Sequence, residues 1–139
     1  MKLILVDTSI WSEVLRRRKN INLQTHKILR SLIEEGKASI IGPIRQEILS
    51  GIKDPEQFES LKDTLSSFDD ISIDSQIYEL AAQFSNTCRS KGIQGSHIDF
   101  LICAVASHHD LEIYTSDKDF KNYSKHIDIK LFNSKNHLK

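Results

Sequence analysis

The chain has 139 residues, of which 39% are hydrophobic and 27% charged, and its formal net charge is zero. This length and composition predict one globular domain, with no overall basic charge of the kind that nucleic-acid binding usually leaves. Two cysteines exclude a disulfide framework, and no apolar run approaches the roughly 20 residues of a membrane span. The apolar run at the N-terminus is too short for a signal peptide, so we expect a protein of the reducing cytoplasm.

In chain order, short apolar runs alternate with segments of helical periodicity. The runs predict strands at residues 3–6, 38–41, 71–73, 112–115 and 127–131. Helices are predicted at 8–18, 23–35, 43–49, from 54 onward, at 76–90 and at 96–109, with a short one after 119. This alternation predicts an α/β fold: a parallel sheet of about five strands with helices on both faces. We expect one domain over residues 1–132 and a polar tail over 133–139.

Four acidic residues stand out by their positions in this plan. Asp7 and Asp117 follow predicted strands, Glu47 lies in the first turns of a predicted helix, and Asp99 lies in the first turn of another. In a parallel sheet, the ends of the strands and the starts of the following helices share one edge, so these carboxylates are predicted to converge. Clustered carboxylates repel one another, and a fold keeps them mainly when a cation neutralises them. Because all the ligands are oxygens, the sequence favours a hard ion such as Mg²⁺ or Mn²⁺.

Each acid also has an ordinary structural interpretation. Asp7 could cap a helix, and Glu47 could be a surface residue. Ser96 and Asp99 have the spacing of a capping box. The catalytic hypothesis therefore depends on all four acids occurring together.

The same segments resemble the four acidic motifs of PIN-domain ribonucleases, and the chain length resembles that of VapC-type toxins. The resemblance is carried by Val6-Asp7-Thr8-Ser9-Ile10-Trp11, Glu47, His97 to Ala104, and Thr115-Ser116-Asp117-Lys118-Asp119-Phe120. It implies a three-layer α/β/α sandwich and a metal-dependent endoribonuclease acting on tRNA, rRNA or other translation-linked RNA. It also implies a homodimer and a cognate VapB-like antitoxin whose tail enters the acidic groove.

The resemblance also implies residue roles. Asp7, Asp99 and Asp117 would bind Mg²⁺ or Mn²⁺, and Glu47 would complete the catalytic set directly or through water. Hydroxyls of Thr8 or Ser9 and of Thr115 would support the acids. The fourth motif offers two acids. Asp117 takes the ligand role because it comes first after the strand, and Asp119 is kept as an accessory.

Five basic residues near the predicted rim are candidates for holding the RNA backbone, although each could be an ordinary solvated charge. They are Arg16, Arg17, Arg18, Arg45 and Lys118.

Three rival functions have different sequence requirements. A hydrolase of the haloacid-dehalogenase type would need a D-x-D pattern, but the second acid position is Ser9. A receiver domain would need paired acids near the end of the first strand, where Asp7 stands alone. A non-catalytic PIN scaffold that binds RNA or protein remains the alternative to the nuclease.

Overall fold

The computed structural model describes residues 2–15 and 23–136. The strands are β1 (Ile4–Val6), β2 (Ala38–Ser39), β3 (Glu112–Tyr114) and β4 (Lys130–Leu131). The helices are α1 (Thr8–Leu15), α2 (Leu23–Glu34), α3 (Gly42–Leu49), α4 (Pro55–Leu65), α5 (Ser75–Ser90), α6 (His97–His109) and α7 (Asp119–Ser124), and a 3₁₀ turn covers Ser134–Asn136. No helix within these described ranges is long and apolar enough to span a membrane.

The sheet is parallel throughout and has the order β2-β1-β3-β4. Ile4 pairs with Ala38 on one side and with Glu112 on the other. All three residues of β1 are buried, as the apolar run predicted for a strand covered on both faces. The predicted α/β fold with a parallel sheet is therefore confirmed.

The strand order decides where the helices lie. The chain moves from β1 to one neighbour, β2, and then returns past β1 to β3 and β4. Because parallel crossovers are right-handed, this reversal puts α1 and α2 on one face and the later helices on the other. The order reverses between β1 and β3, and open α/β sheets bind their ligands at the carboxyl ends of strands at such a switch point.

The strand predicted at residues 71–73 does not form, so the described residues contain four strands rather than about five. One parallel bridge joins Ile40 to Asp70, and the Ile71 amide donates to the Ile40 carbonyl at 2.9 Å. Asp74 then caps α5, its carboxylate accepting from the Ile77 amide, so only residues 71–73 separate the bridge from the cap of the helix. The alternating apolar residues Ile71 and Ile73 pack on the core without entering the sheet.

Helix α6 is buried nearly all round, since every residue from Phe100 to Ala106 is buried. Ile98, in the first turn of this helix, is only partly buried. A helix that is apolar on all sides belongs in the interior, and α6 packs between α5 and β3. The first turn of α6 lies at the carboxyl edge of the sheet, where Asp99 lines a cavity.

Two predicted segments extend beyond the described residues. The first helix was predicted over residues 8–18, and α1 is described to Leu15. Residues 16–18 lie outside the described residues. Near the other end, the Phe132 amide donates to the Ile113 carbonyl at 2.8 Å, which extends the β3–β4 pairing by one residue. Residues 137–139 of the predicted polar tail are also outside the described part.

Candidate active site

The four predicted acids line one cavity of about 1000 Å³ at the carboxyl edge of the sheet. Asp7 follows β1, Glu47 lies on α3, Asp99 lies in the first turn of α6, and Asp117 lies between β3 and α7. These residues are up to 110 positions apart in the chain. The parallel topology brings them together, as the sequence predicted.

Asp7 is the buried member of the group, with only 6% of its surface exposed. Its Oδ2 accepts hydrogen bonds from the hydroxyls of Ser9 and Thr115, each at 2.8 Å. The described residues give this carboxylate no hydrogen bond from an amide of α1, so its side chain does not act as a helix cap. Its other oxygen, Oδ1, receives no hydrogen bond from any described residue and is left for a ligand.

The hydroxyls of Ser9 and Thr115 form a small network that also orders the fourth motif. Ser9 Oγ accepts from the Ser116 amide at 3.1 Å, and Thr115 Oγ1 accepts from the Asp117 amide at 3.0 Å. The two hydroxyls both contact Asp7 Oδ2 and also lie 3.2 Å from each other, where either could be the donor. The two loops that carry the first and fourth acids are therefore held in one arrangement.

Asp99 is half-buried and is held from two sides. Its amide donates to the Ser96 hydroxyl at 3.0 Å, which is one half of the predicted capping box. Its carboxylate accepts from the Tyr123 hydroxyl at 2.8 Å. The reciprocal bond of a capping box, from the Ser96 amide to the carboxylate, is absent from the described contacts. The Tyr123 hydroxyl thus ties the carboxylate to α7, and the Ser96 hydroxyl at the start of α6 also favours its charged form.

The pKa of Asp99 is raised above its ordinary value. Burial is the main cause, and the hydrogen bonds from Tyr123 and Ser96 partly offset it. The negative charges of Asp117 and Asp7 raise the pKa further. The predicted repulsion between the acids therefore contributes to the raised pKa of Asp99.

The two acids of the fourth motif have different positions. Asp117 lines the cavity, and its Oδ1 accepts from the Asp119 amide at 2.9 Å in the turn just before α7. Asp119 is exposed and is not among the lining residues. Position therefore favours Asp117 for the ligand role and leaves Asp119 outside the cavity.

Glu47 is exposed on α3 and faces α1 across the cavity, where Thr8 Oγ1 donates to its Oε2 at 3.4 Å. A further acid that the sequence analysis missed, Glu13, also lines the cavity. It follows Ser9 by four residues on α1 and so shares a helix face with it. This spacing from Ser9 was the sequence signal that could have identified Glu13 as a residue of the cavity.

The donor chemistry of the cavity suits a divalent cation. Its lining contains five carboxylates, from Asp7, Glu13, Glu47, Asp99 and Asp117, and among the lining residues there is no lysine or arginine to balance them. Carboxylate oxygens are the ligands that Mg²⁺ and Mn²⁺ prefer. In the described part of the chain, no three Asp, Glu, His or Cys side chains have already converged into a ligand group. The acids surround the cavity without meeting at a point.

The basic candidates differ in what they contact. The Arg45 guanidinium donates to the Leu65 and Phe68 carbonyls at 2.8 and 2.7 Å and to Asp70 at 2.9 Å, so it has an internal structural role. Lys118 is exposed beside Asp117. Arg16, Arg17 and Arg18 lie outside the described residues.

Tyr123 is the site residue that sequence analysis had no means of finding. In the sequence, Tyr123 is an aromatic residue three positions after Phe120 on a short helix. Such a spacing indicates core packing and gives no sign of a role in the site. Its partner Asp99 is 24 residues earlier, and no short-range pattern connects them.

Comparisons with known proteins agree with this geometry. The family model described as PIN domain matches residues 4–126. Ribonuclease VapC11 of Mycobacterium tuberculosis is 32% identical over 121 residues, covering 85% of this chain and 89% of the relative.

Two solved structures are also similar. FitAcB of Neisseria gonorrhoeae superposes with a TM-score of 0.75 at 23% identity, covering 96% of this chain and 99% of that one. A chain of a toxin–antitoxin complex from Klebsiella pneumoniae has a TM-score of 0.64 at 25% identity, covering 84% and 89%.

Proposed function

This chain belongs to the PIN-domain family, among the VapC ribonucleases, and we propose that it hydrolyses RNA phosphodiester bonds in the acidic cavity with the help of Mg²⁺ or Mn²⁺. The observation that carries this proposal is the convergence of four motif acids on one cavity at the switch point of the sheet. The substrate class comes from the ribonuclease relative. We expect tRNA, rRNA or other translation-linked RNA.

In this proposal Asp7, Asp99 and Asp117 hold the metal, and Glu47 completes the shell directly or through water. A bound divalent ion would supply activation of water and neutralisation of the leaving oxygen. Ser9 and Thr115 keep Asp7 in place by donating to Oδ2, which leaves Oδ1 for the ion. No histidine is needed as a base, and none lines the cavity.

RNA must reach a cavity whose own residues are acidic, so cationic side chains at its rim are required. Lys118 is exposed next to Asp117 and is the described candidate. We propose that Arg16, Arg17 and Arg18 hold the backbone as well. Arg45 is a poor candidate because its guanidinium is already bonded to Leu65, Phe68 and Asp70.

We further propose that the protein is the toxin of a toxin–antitoxin pair in the cytoplasm and acts as a homodimer. Its inhibitor would be a VapB-like antitoxin that inserts a tail into the acidic cavity. The toxin–antitoxin complex from Klebsiella supports this assignment, and so does the charge of the cavity, which suits a basic side chain of a partner.

The test compares the parent protein with Asp99→Asn on a pool of total tRNA and rRNA, with Mg²⁺ or Mn²⁺ and then with EDTA. Asparagine can still accept from Tyr123 and leaves the backbone cap at Ser96 intact, so the fold should persist. We expect cleavage by the parent that EDTA abolishes, and a loss of at least about 100-fold in the variant. Asp63→Asn, an exposed acid on α4, is the matched control and should cleave like the parent.

Cleavage by Asp99→Asn at the parental rate would overturn the site assignment. RNA binding without cleavage by the parent in either metal would instead favour the non-catalytic PIN scaffold. Circular dichroism of each variant establishes that a loss of cleavage is not a loss of fold.

A further inference from the structure

Among the described residues, the Tyr123 side chain makes one hydrogen bond, and its partner is an acid of the cavity. The residue is fully buried on α7. Its hydroxyl donates to Asp99 Oδ2 at 2.8 Å, across from the first turn of α6. A buried hydroxyl needs a partner, and here the partner is an acid of the cavity rather than a backbone carbonyl.

The phenol ring is held firmly by its neighbours. Its centroid lies 5.0 Å from that of Phe100 and 5.2 Å from that of Phe120, both of them buried aromatic residues. A tyrosine packed in this way has little rotamer freedom left. The hydroxyl is therefore a fixed donor, and the Asp99 oxygen that accepts from it is fixed too.

Gly95 provides the space through which the hydroxyl reaches Asp99. A Cβ at this position would lie 2.9 Å from Tyr123 Cζ and from Phe100 Cε2, and it would collide with the Tyr123 hydroxyl. Such contacts are too close for any real side chain. Two residues outside the four acidic motifs, Gly95 and Tyr123, thus define one contact with a motif acid.

We propose that Tyr123 is a positioning residue for the metal site, holding Asp99 by Oδ2 so that Oδ1 is presented to the cation, with Gly95 providing the space. This inference rests on the proposed function, since it concerns the same site. Partners behind a metal ligand fix its orientation, and their removal commonly weakens metal binding about 10–100-fold. A bond that only stabilised the core would leave metal affinity unchanged.

The test measures Mn²⁺ binding by titration calorimetry on the full chain, without RNA. Tyr123→Phe keeps the ring and removes only the hydroxyl. We expect a dissociation constant about 10–100-fold weaker than that of the parent. The control is Tyr78→Phe, which removes the hydroxyl of an exposed tyrosine on α5 that is not among the residues lining the cavity. It should bind Mn²⁺ like the parent.

RNA cleavage over a Mn²⁺ titration gives a second readout. Tyr123→Phe should need more Mn²⁺ for half-maximal cleavage and should recover most of the parental rate at saturation. An unchanged dissociation constant and an unchanged Mn²⁺ requirement would overturn the positioning role. Absence of Mn²⁺ binding by the parent would instead overturn the proposed function, so the two failures are distinguishable.

Gly95→Ala provides an independent test in a chain that retains the phenol. The added methyl group must displace the Tyr123 hydroxyl, so Mn²⁺ affinity should fall as it does in Tyr123→Phe. The effects in the double variant should be less than additive, because both changes break the same bond. Fully additive losses would contradict the inference.

Discussion

At the scale of single residues, hydrogen-bond partners separate the structural interpretation of each acid from the catalytic one. Asp7 could have been a plain helix cap, but its carboxylate accepts from Ser9 and Thr115 hydroxyls and not from the amides of α1. Asp99 forms half of a capping box, yet its carboxylate is bonded to Tyr123. Each of these carboxylates therefore accepts a hydrogen bond from a hydroxyl that lies far away in the chain, Thr115 for Asp7 and Tyr123 for Asp99.

The raised pKa of Asp99 predicts how stability depends on pH without metal. The ordinary value is 3.8 and the folded value is higher, so the unfolded chain releases this proton first as pH rises. Stability is thus unaffected below the ordinary pKa, falls between the two values, and stays lowered at neutral pH. Asp99→Asn has no carboxyl group to titrate at this position. The free energy of unfolding of the variant minus that of the parent should therefore rise with pH between the two pKa values of Asp99 and stay constant above them.

Urea unfolding in EDTA from pH 3 to pH 7 measures this difference between parent and variant. Asp63→Asn is again the control, because that exposed acid lies away from the cavity. A relative stability of Asp99→Asn that falls with rising pH would contradict the view that burial and repulsion destabilise the ionised carboxylate.

At the scale of secondary-structure elements, the contacts of Arg45 show how α3, α4 and the edge of the sheet are joined. Arg45 on α3 reaches over the end of α4 to two carbonyls and to Asp70. It thereby fixes the chain where the single bridge between Ile40 and Asp70 forms. An arginine counted among the possible RNA contacts turns out to hold α3, α4 and the sheet edge together.

We expect Arg45→Lys to lower the free energy of unfolding by about 2–3 kcal/mol, because one ammonium cannot reproduce the planar fork of donors. Urea denaturation checks this value. Arg30→Lys is the control, since its ion pair with Glu34 is on the surface and should change stability by less than about 0.5 kcal/mol. Unchanged stability with weakened RNA binding would restore Arg45 as an RNA contact.

At the scale of the whole molecule, the strand order β2-β1-β3-β4 sets the position of the site. Crossovers run to opposite faces on either side of the β1–β3 pair, which opens a crevice at their carboxyl ends. Asp7 and Asp117 border this crevice because they follow these two strands. Asp99 joins them from the first turn of the buried helix α6.

The same buried centre should protect both thiols. Cys88 on α5 and Cys103 on α6 are buried and free, and burial raises the pKa of each. A thiol reagent at pH 8 should therefore modify both thiols quickly in 6 M guanidinium chloride. In the native protein, modification should be slow, because it has to wait for the fold to open. Rapid modification of either thiol without denaturant would contradict this packing.

Sequence patterns predicted most of the elements, because burial periodicity and cap residues are local signals. Asp54 and Asp74 begin α4 and α5 as helix caps, and the apolar run before Asp7 is a fully buried strand. The segment at 71–73 looked like a strand because isoleucines alternate there. Whether an alternating segment pairs depends on a neighbour with free backbone groups, which the segment itself does not encode.

The sequence by itself determined the alternation of strands and helices, the positions of Asp7 and Asp117 after strands and that of Asp99 in the first turn of a helix, since all of these follow from short-range chemistry. It also determined the family, through motifs that each occupy a few residues. Only the tertiary structure decided that Asp117 rather than Asp119 lines the cavity, that Glu13 joins it, and that Tyr123 holds Asp99. These facts are distances between residues far apart in the chain, and packing alone fixes such distances.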